Sequence, residues 1–187
     1  MSRLSIFPET VSSDGRGPSP QRLVCTDDPE QIGTELFRRG IGFERWPAEK
    51  NLDQNADQAS ILWAYRDEIE RVQRASGYAT VDAIRMTPDH PERECLRRKF
   101  LDEHTHAEDE VRFFVEGQAL FCLHIGSEVL LIRCERGDLI SVPAGTRHWF
   151  DMGSAPQFCA LRWFNNSEGW VAKFTGSDIS RSFPGLD

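Results

Sequence analysis

His104-Thr105-His106-Ala107-Glu108-Asp109-Glu110, with Arg112 two positions on and Pro143-Ala144-Gly145-Thr146-Arg147-His148 further along, is the part of the chain whose reading decides the fold. Three imidazoles and one carboxylate are a donor set for a divalent first-row metal such as iron or nickel. Four protein ligands leave two positions of an octahedral ion for a substrate, which is the wiring of a catalytic site and not of a closed structural one. Strand side chains alternate between faces with period two. His104, His106, Glu110 and Arg112 share one parity, so on an extended backbone they point the same way, and Phe114 shares that face. His148 must then arrive from a neighbouring strand, behind the Pro-Ala-Gly turn.

Each piece alone is weak. A lone His-x-His is more often two exposed histidines, and Glu108-Asp109-Glu110 alone reads as a solvated acidic run. The four donors at these intervals, together with the surrounding glycines and proline, are what single out a metal site. His90, before a proline, and His124, at the end of a strand-like run, fall outside the pattern and read as ordinary surface or turn residues.

Working outward, 187 residues suit one domain with a single buried core. A formal charge of −8 argues against nucleic acid or an anionic membrane as partner. No apolar stretch reaches membrane-span length, and Met1-Ser2-Arg3-Leu4-Ser5-Ile6-Phe7-Pro8 lacks the long apolar core of a secretory signal, so a cytoplasmic location is expected. The five cysteines show no CxxC pairing. Cys122, Cys134 and Cys159 sit in apolar runs and read as buried thiols, neither nucleophiles nor ligands.

Local patterns place the elements. Asp28-Pro29-Glu30 opens a helix running to Arg39, with Asp28 as cap, Pro29 in first position and Gly40 as stop. Gln58 to Ser76 carries Ile61, Leu62, Tyr65, Ile69 and Val72 at helical spacing, with Gly77 behind it. Pro91 to Lys99 reads as a short charged helix, and Ile41–Trp46 and Val81–Met86 as strands. From Glu110 the texture becomes short apolar runs, Val111–Val115, Ala119–Leu123, Val129–Cys134, Leu139–Val142, His148–Asp151 and Phe158–Phe164. Turns at Glu116-Gly117-Gln118, Ile125-Gly126-Ser127 and Arg136-Gly137-Asp138 separate them. This argues for an antiparallel sandwich or barrel with the helices packed outside.

His104, His106, Glu110 and Gly117 match the first cupin motif, and Gly137, Pro143, Gly145 and His148 the second, with Met152 in place of its usual closing Asn. The chain thus resembles a cupin: mainly β, a jelly-roll β-barrel with a few peripheral N-terminal helices. On that view one domain comprises residues 1–100 packing on the barrel, a metal-binding core over 101–175 and a tail over 176–187. A narrower likeness rests on Glu103-His104-Thr105-His106, Asp109-Glu110-Val111-Arg112-Phe113, the Gly137–Gly145 segment and His148-Trp149-Phe150-Asp151. Arg162-Trp163-Phe164-Asn165-Asn166 and Glu168-Gly169-Trp170-Val171-Ala172 extend it. These stretches resemble the acireductone dioxygenases of methionine salvage.

The resemblance implies an acireductone, 1,2-dihydroxy-3-keto-5-methylthiopentene, as substrate alongside dioxygen, with Fe2+ or Ni2+ as cofactor and a monomeric enzyme. It implies His104, His106, Glu110 and His148 as metal ligands and Arg112 as the catalytic cation that stabilises the substrate dianion. Glu103 and Asp109, flanking the ligands, are candidates to receive the histidines' second ring nitrogens. Phe100, Phe114, Phe150 and Trp170 are candidates for the apolar wall around the methylthio tail. Two alternatives stay open at the level of sequence: another metal cupin oxygenase or isomerase, and a non-catalytic ligand-binding cupin.

Overall fold

The computed structural model describes residues 1–9, 22–166 and 171–186. In chain order its strands are β1 (Arg3–Pro8), β2 (Val24–Thr26), β3 (Gly42–Arg45), β4 (Thr80–Met86), β5 (His104–Thr105), β6 (Glu110–Ile125), β7 (Glu128–Glu135), β8 (Asp138–Val142), β9 (Arg147–Asp151), β10 (Phe158–Phe164) and β11 (Lys173–Phe174). The helices are α1 (Pro29–Phe37), α2 (Gln58–Ala64), α3 (Arg66–Ser76) and α4 (Arg93–Leu101). All strand pairings are antiparallel.

Strand β6 organises everything else. The sequence suggests two short strands, 111–115 and 119–123, with a turn between them. The structure instead carries one 16-residue strand through that point. Its first half pairs with β8 and β10 in one sheet, continued by β3 and β4; its second half pairs with β7 and β9 in the other, continued by β1, β2, β5 and β11. Glycine makes the passage possible. Gly117 has φ +65°, and a Cβ there would lie 1.8 Å from the Gln157 carbonyl oxygen. The pairing of β10 with β6 slips by one residue here, so Ala160 faces Phe114 while Cys159 faces Glu116.

That slip reverses the alternation. Before it, Phe114 points between the sheets; after it, Ala119, Phe121 and Leu123 do. They meet Leu4, Ile6, Ile132 and Phe150 from one sheet and Met86, Ile140, Phe158 and Ala160 from the other. Each fully buried Phe or Leu in this layer contributes roughly 2–3 kcal/mol through removal from water. No strand pairing among the described residues closes the two sheets into a continuous ring.

The helices cover outer faces, as expected. Asp28 caps α1 by accepting from the Glu30 N–H at 2.9 Å, and Gly40 at φ +78° turns the chain into β3. The Gln58–Ser76 pattern is two helices and not one. Tyr65, at φ −106° and ψ 23°, interrupts it, with its buried ring edge-on to Phe113 at 5.9 Å. The break lets Ile61, and then Ile69 and Val72, pack on the same sheet face with Val111, Phe113 and Val115. Strand β1, which carries no signal in the sequence reading, pairs along its whole length with β7. No helix among the described residues is long and apolar enough to cross a membrane.

Candidate metal centre

Backbone register and the turn between two strands bring the four donors together. His104 on β5 lies directly opposite His148 on β9, Glu110 opens β6, and His106 sits in the turn between β5 and β6. One nitrogen from each histidine falls within a cluster no more than 4.8 Å across. Glu110 Oε2 lies 3.6 Å from His106 Nε2 and 3.7 Å from His148 Nε2. All four residues are buried. The turn before His148 is stitched to the first motif: Gly145 N–H donates to the His106 carbonyl at 2.9 Å, and Ala144 N–H to Asp109 Oδ1 at 2.8 Å.

The other ring nitrogens are already committed. His104 Nδ1 lies 2.7 Å from the Asp102 carbonyl, His148 Nδ1 2.8 Å from the Thr146 carbonyl and His106 Nδ1 3.3 Å from the Val171 carbonyl. A carbonyl only accepts, so each Nδ1 carries the proton and each Nε2 presents a lone pair. Glu110 Oε2 and His148 Nε2 are buried without a hydrogen-bond partner. A buried polar atom without a partner is costly, and two converging lone pairs of this kind fit a cation between them. The donor set and its orphaned atoms therefore fit a divalent metal.

Electrostatics keep the donors in metal-binding form. Burial pushes the pKa of His148 down to about 3 against the opposing pull of Glu110, and lowers those of His104 and His106 as well. All three imidazoles are neutral at neutral pH. Burial alone would raise the Glu110 carboxyl, but the Arg112 guanidinium outweighs it and holds the pKa at about 2. Arg112 Nε donates to Glu110 Oε1 at 2.5 Å. Burial lowers the arginine's pKa below its ordinary value, with Glu110 opposing, and it stays a cation. Its guanidinium carbon stands 4.4 Å from the Phe150 ring centroid and 5.2 Å from that of Phe121.

The residues singled out from sequence separate into those at the cluster and those elsewhere. His104, His106, Glu110, His148 and Arg112 converge, and Phe150 stacks beneath Arg112. Phe114 lies deeper, 6.3 Å from Phe158, and Phe100 packs half-buried against the same core. Trp170 lies outside the described residues. Glu103 and Asp109 do not receive a ligand imidazole. Asp109 braces the turn before His148, and Glu103, 1% exposed, turns to the opposite side of β5 and meets His124 Nδ1 at 2.6 Å. His124 is thereby a buried, paired histidine and not a surface one: it lies on the outer face of the sheet, where Glu103 covers it. His90 stays in the loop before α4, where its Nδ1 accepts from the Glu92 N–H. Cys122, Cys134 and Cys159 are buried thiols pushed up in pKa by burial.

Sequence reasoning missed three rings around the cluster. Phe121 lies 5.6 Å from His148, Phe164 5.8 Å from His106 and Phe174 5.7 Å from His104. Phe121 has the wrong parity for an uninterrupted strand, and only the slip at Gly117 reveals it. Phe164 lies within the Arg162–Asn166 stretch, where nothing in its spacing marks it as a site residue.

Fold and site together define a metal-centred cupin. The model of the ARD/ARD' family matches residues 12–172. Acireductone dioxygenases of Synechococcus sp. (strain CC9902) and Synechococcus sp. (strain CC9605) are 68% and 69% identical to the chain, each over 188 residues covering both partners fully. That of Prochlorococcus marinus (strain MIT 9313) is 63% identical over 186 residues, again with full coverage of both. Among solved structures, the acireductone dioxygenase from Bacillus anthracis, which holds a cadmium ion in its active center, superposes with a TM-score of 0.75. It is 27% identical, and the match covers 93% of this chain and 98% of that one. The chain belongs to the ARD/ARD' family.

Proposed function

We propose that the protein is an acireductone dioxygenase that uses O2 to cleave 1,2-dihydroxy-3-keto-5-methylthiopentene oxidatively at a centre held by His104, His106, Glu110 and His148. The observation that carries this reading is the convergence of four buried donors, two with orphaned atoms, beside a buried arginine. The metal, Fe2+ or Ni2+, supplies when bound the centre at which the substrate anion and dioxygen meet. With iron the products are 4-methylthio-2-oxobutanoate and formate; with nickel they are 3-methylthiopropanoate, formate and carbon monoxide.

The chain's own residues prepare that chemistry. Three neutral imidazoles and one carboxylate leave a divalent ion with net positive charge, which attracts an enediolate. Arg112 keeps Glu110 ionised and adds a permanent cation beside the site, stabilising the substrate dianion. Phe121, Phe150 and Phe164 line the ligands with apolar surface that excludes water, and in a drier site each charge interaction is stronger. No protein nucleophile is required, which agrees with the buried, raised-pKa thiols. On the same reading the protein works as a cytoplasmic monomer on a small molecule, with no nucleic acid or membrane partner.

Reloading metal-free protein with iron, and separately with nickel, tests this. Both forms are expected to consume acireductone and oxygen, the iron form releasing the keto acid and only the nickel form releasing carbon monoxide. Acireductone that disappears no faster than its background oxidation with either metal rejects the reading.

A further inference from the structure

His104 is delivered by the weakest element of the centre. Strand β5 is two residues long, with a single register pair to β9, and among the described residues its other edge is covered only by the two-residue β11. So short a strand is marginal by itself. Something outside the metal cluster must hold it.

Directly behind it lies a polar cluster that the reaction does not use, with Glu103 and His124 buried and Thr175 at the surface. Glu103 Oε1 faces His124 Nδ1 at 2.6 Å, and the Thr175 hydroxyl donates to Glu103 Oε2 at 2.6 Å. Thr175 N–H also donates to the Glu103 carbonyl at 3.0 Å. His124 is 4% exposed, and its Nε2 lies 3.2 Å from Glu9 Oε1. The three residues come from three different segments. Thr175 follows β11, Glu103 precedes His104, and His124 stands on β6 next to Leu123, whose register partner is His148. The carboxylate thus fastens the outer edge of the sheet to its long central strand.

We propose that Glu103, His124 and Thr175 form a brace of positioning residues that sets the place of His104 on the metal. The brace rests on the metal centre proposed above. It acts on the ligand's backbone and not on its ring, since the Nδ1 of His104 is held by the Asp102 carbonyl. Two short strands leave several backbone settings open to His104; the brace selects one. Loss of the Thr175 hydroxyl or the His124 ring nitrogen therefore weakens metal binding without removing any ligand. Partners at this remove from a metal are typically worth about 10- to 100-fold in affinity.

Competition for nickel between the full-length protein and a chromophoric chelator tests the proposal. Thr175→Val, which keeps the shape and removes the hydroxyl, and His124→Leu are expected to weaken nickel binding by about 10- to 100-fold. Thr175→Ser, and His124→Asn, whose amide nitrogen stands where Nδ1 stood, should restore most of it. In the cobalt-loaded protein, the paramagnetically shifted ring N–H signal of His104 should broaden or vanish in the Val and Leu variants while those of His106 and His148 persist. Wild-type affinity in both Val and Leu variants, or equal loss of all three signals, overturns the brace. A wild-type protein that takes up no nickel overturns the metal centre itself, and the brace with it.

Discussion

Arg112→Met keeps the length and apolar stem of the side chain over Phe121 and Phe150 but removes the charge beside Glu110. In the metal-free protein this leaves a fully buried carboxylate without its principal counter-ion. Glu110 is held at about 2 against an ordinary value of 4.5. That depression of about 2.5 units corresponds to roughly 3 kcal/mol of stability at neutral pH. The cost of breaking a buried ion pair by removing one partner is of the same size, about 3–5 kcal/mol. For a chain of this length each kcal/mol moves the melting temperature by about 2–4 °C, so metal-free Arg112→Met should melt about 6–12 °C below the wild type. A bound divalent ion supplies a replacement countercharge, so the gap should narrow sharply in the nickel-loaded proteins. The sign with pH follows from a depressed carboxyl: the contribution is complete above pH 4.5 and fades as pH falls toward 2. Thermal melts of both proteins at pH 7, with and without nickel, are the assay. A metal-free variant melting within about 2 °C of the wild type, a shift worth under about 1 kcal/mol, refutes the reasoning. So does a gap that nickel leaves unchanged.

Other outcomes follow from the same geometry. Gly117→Ala places a Cβ on the Gln157 carbonyl in a left-handed backbone; soluble yield and melting temperature should fall by the equivalent of more than about 3 kcal/mol, and a variant that melts like the wild type removes the account of how β6 passes between sheets. The buried imidazoles refuse protons that the unfolded chain accepts, so metal-free protein should lose stability as pH drops below 6.5, with His148 alone contributing about 3 kcal/mol of loss by pH 4.5. A metal-free melting temperature that stays flat from pH 7 to 4.5 contradicts it. Asp109→Ala unties the turn before His148 and is expected to weaken nickel binding, by about 10-fold on the scale of outer-shell partners, in the chelator competition; unchanged affinity would assign Asp109 to the turn's stability alone.

The four clustered side chains were legible because their signal is chemical and local: two histidines and a glutamate at fixed parity, and a histidine behind a Pro-x-Gly turn. The helices were legible where caps and stops are explicit, as at Asp28 and Gly40, and less so at Tyr65, where tertiary docking of one ring overrides a continuous helical pattern. The partners of the ligand imidazoles were invisible, since backbone carbonyls of Asp102, Thr146 and Val171 leave no mark in a side-chain pattern. Glu103 and His124 were misplaced because their contact joins β6 to the segment before β5, which no local pattern announces. Period-two counting from Glu110 sends Phe121 outward, whereas one extra residue in β6 turns it inward. A glycine between two apolar runs reads equally as a hairpin turn or as a bulge, and only the pairing of β10 across it decides.

The central claim is that three imidazole nitrogens and one carboxylate, those of His104, His106, His148 and Glu110, hold a single divalent ion. X-ray absorption spectroscopy of the nickel-loaded protein, beside nickel-loaded His148→Ala, measures it most directly. The account predicts three imidazoles in the wild-type metal shell with oxygen in the remaining positions, and two imidazoles in the variant. A sulfur in the shell, or an imidazole count that does not change in His148→Ala, would contradict it.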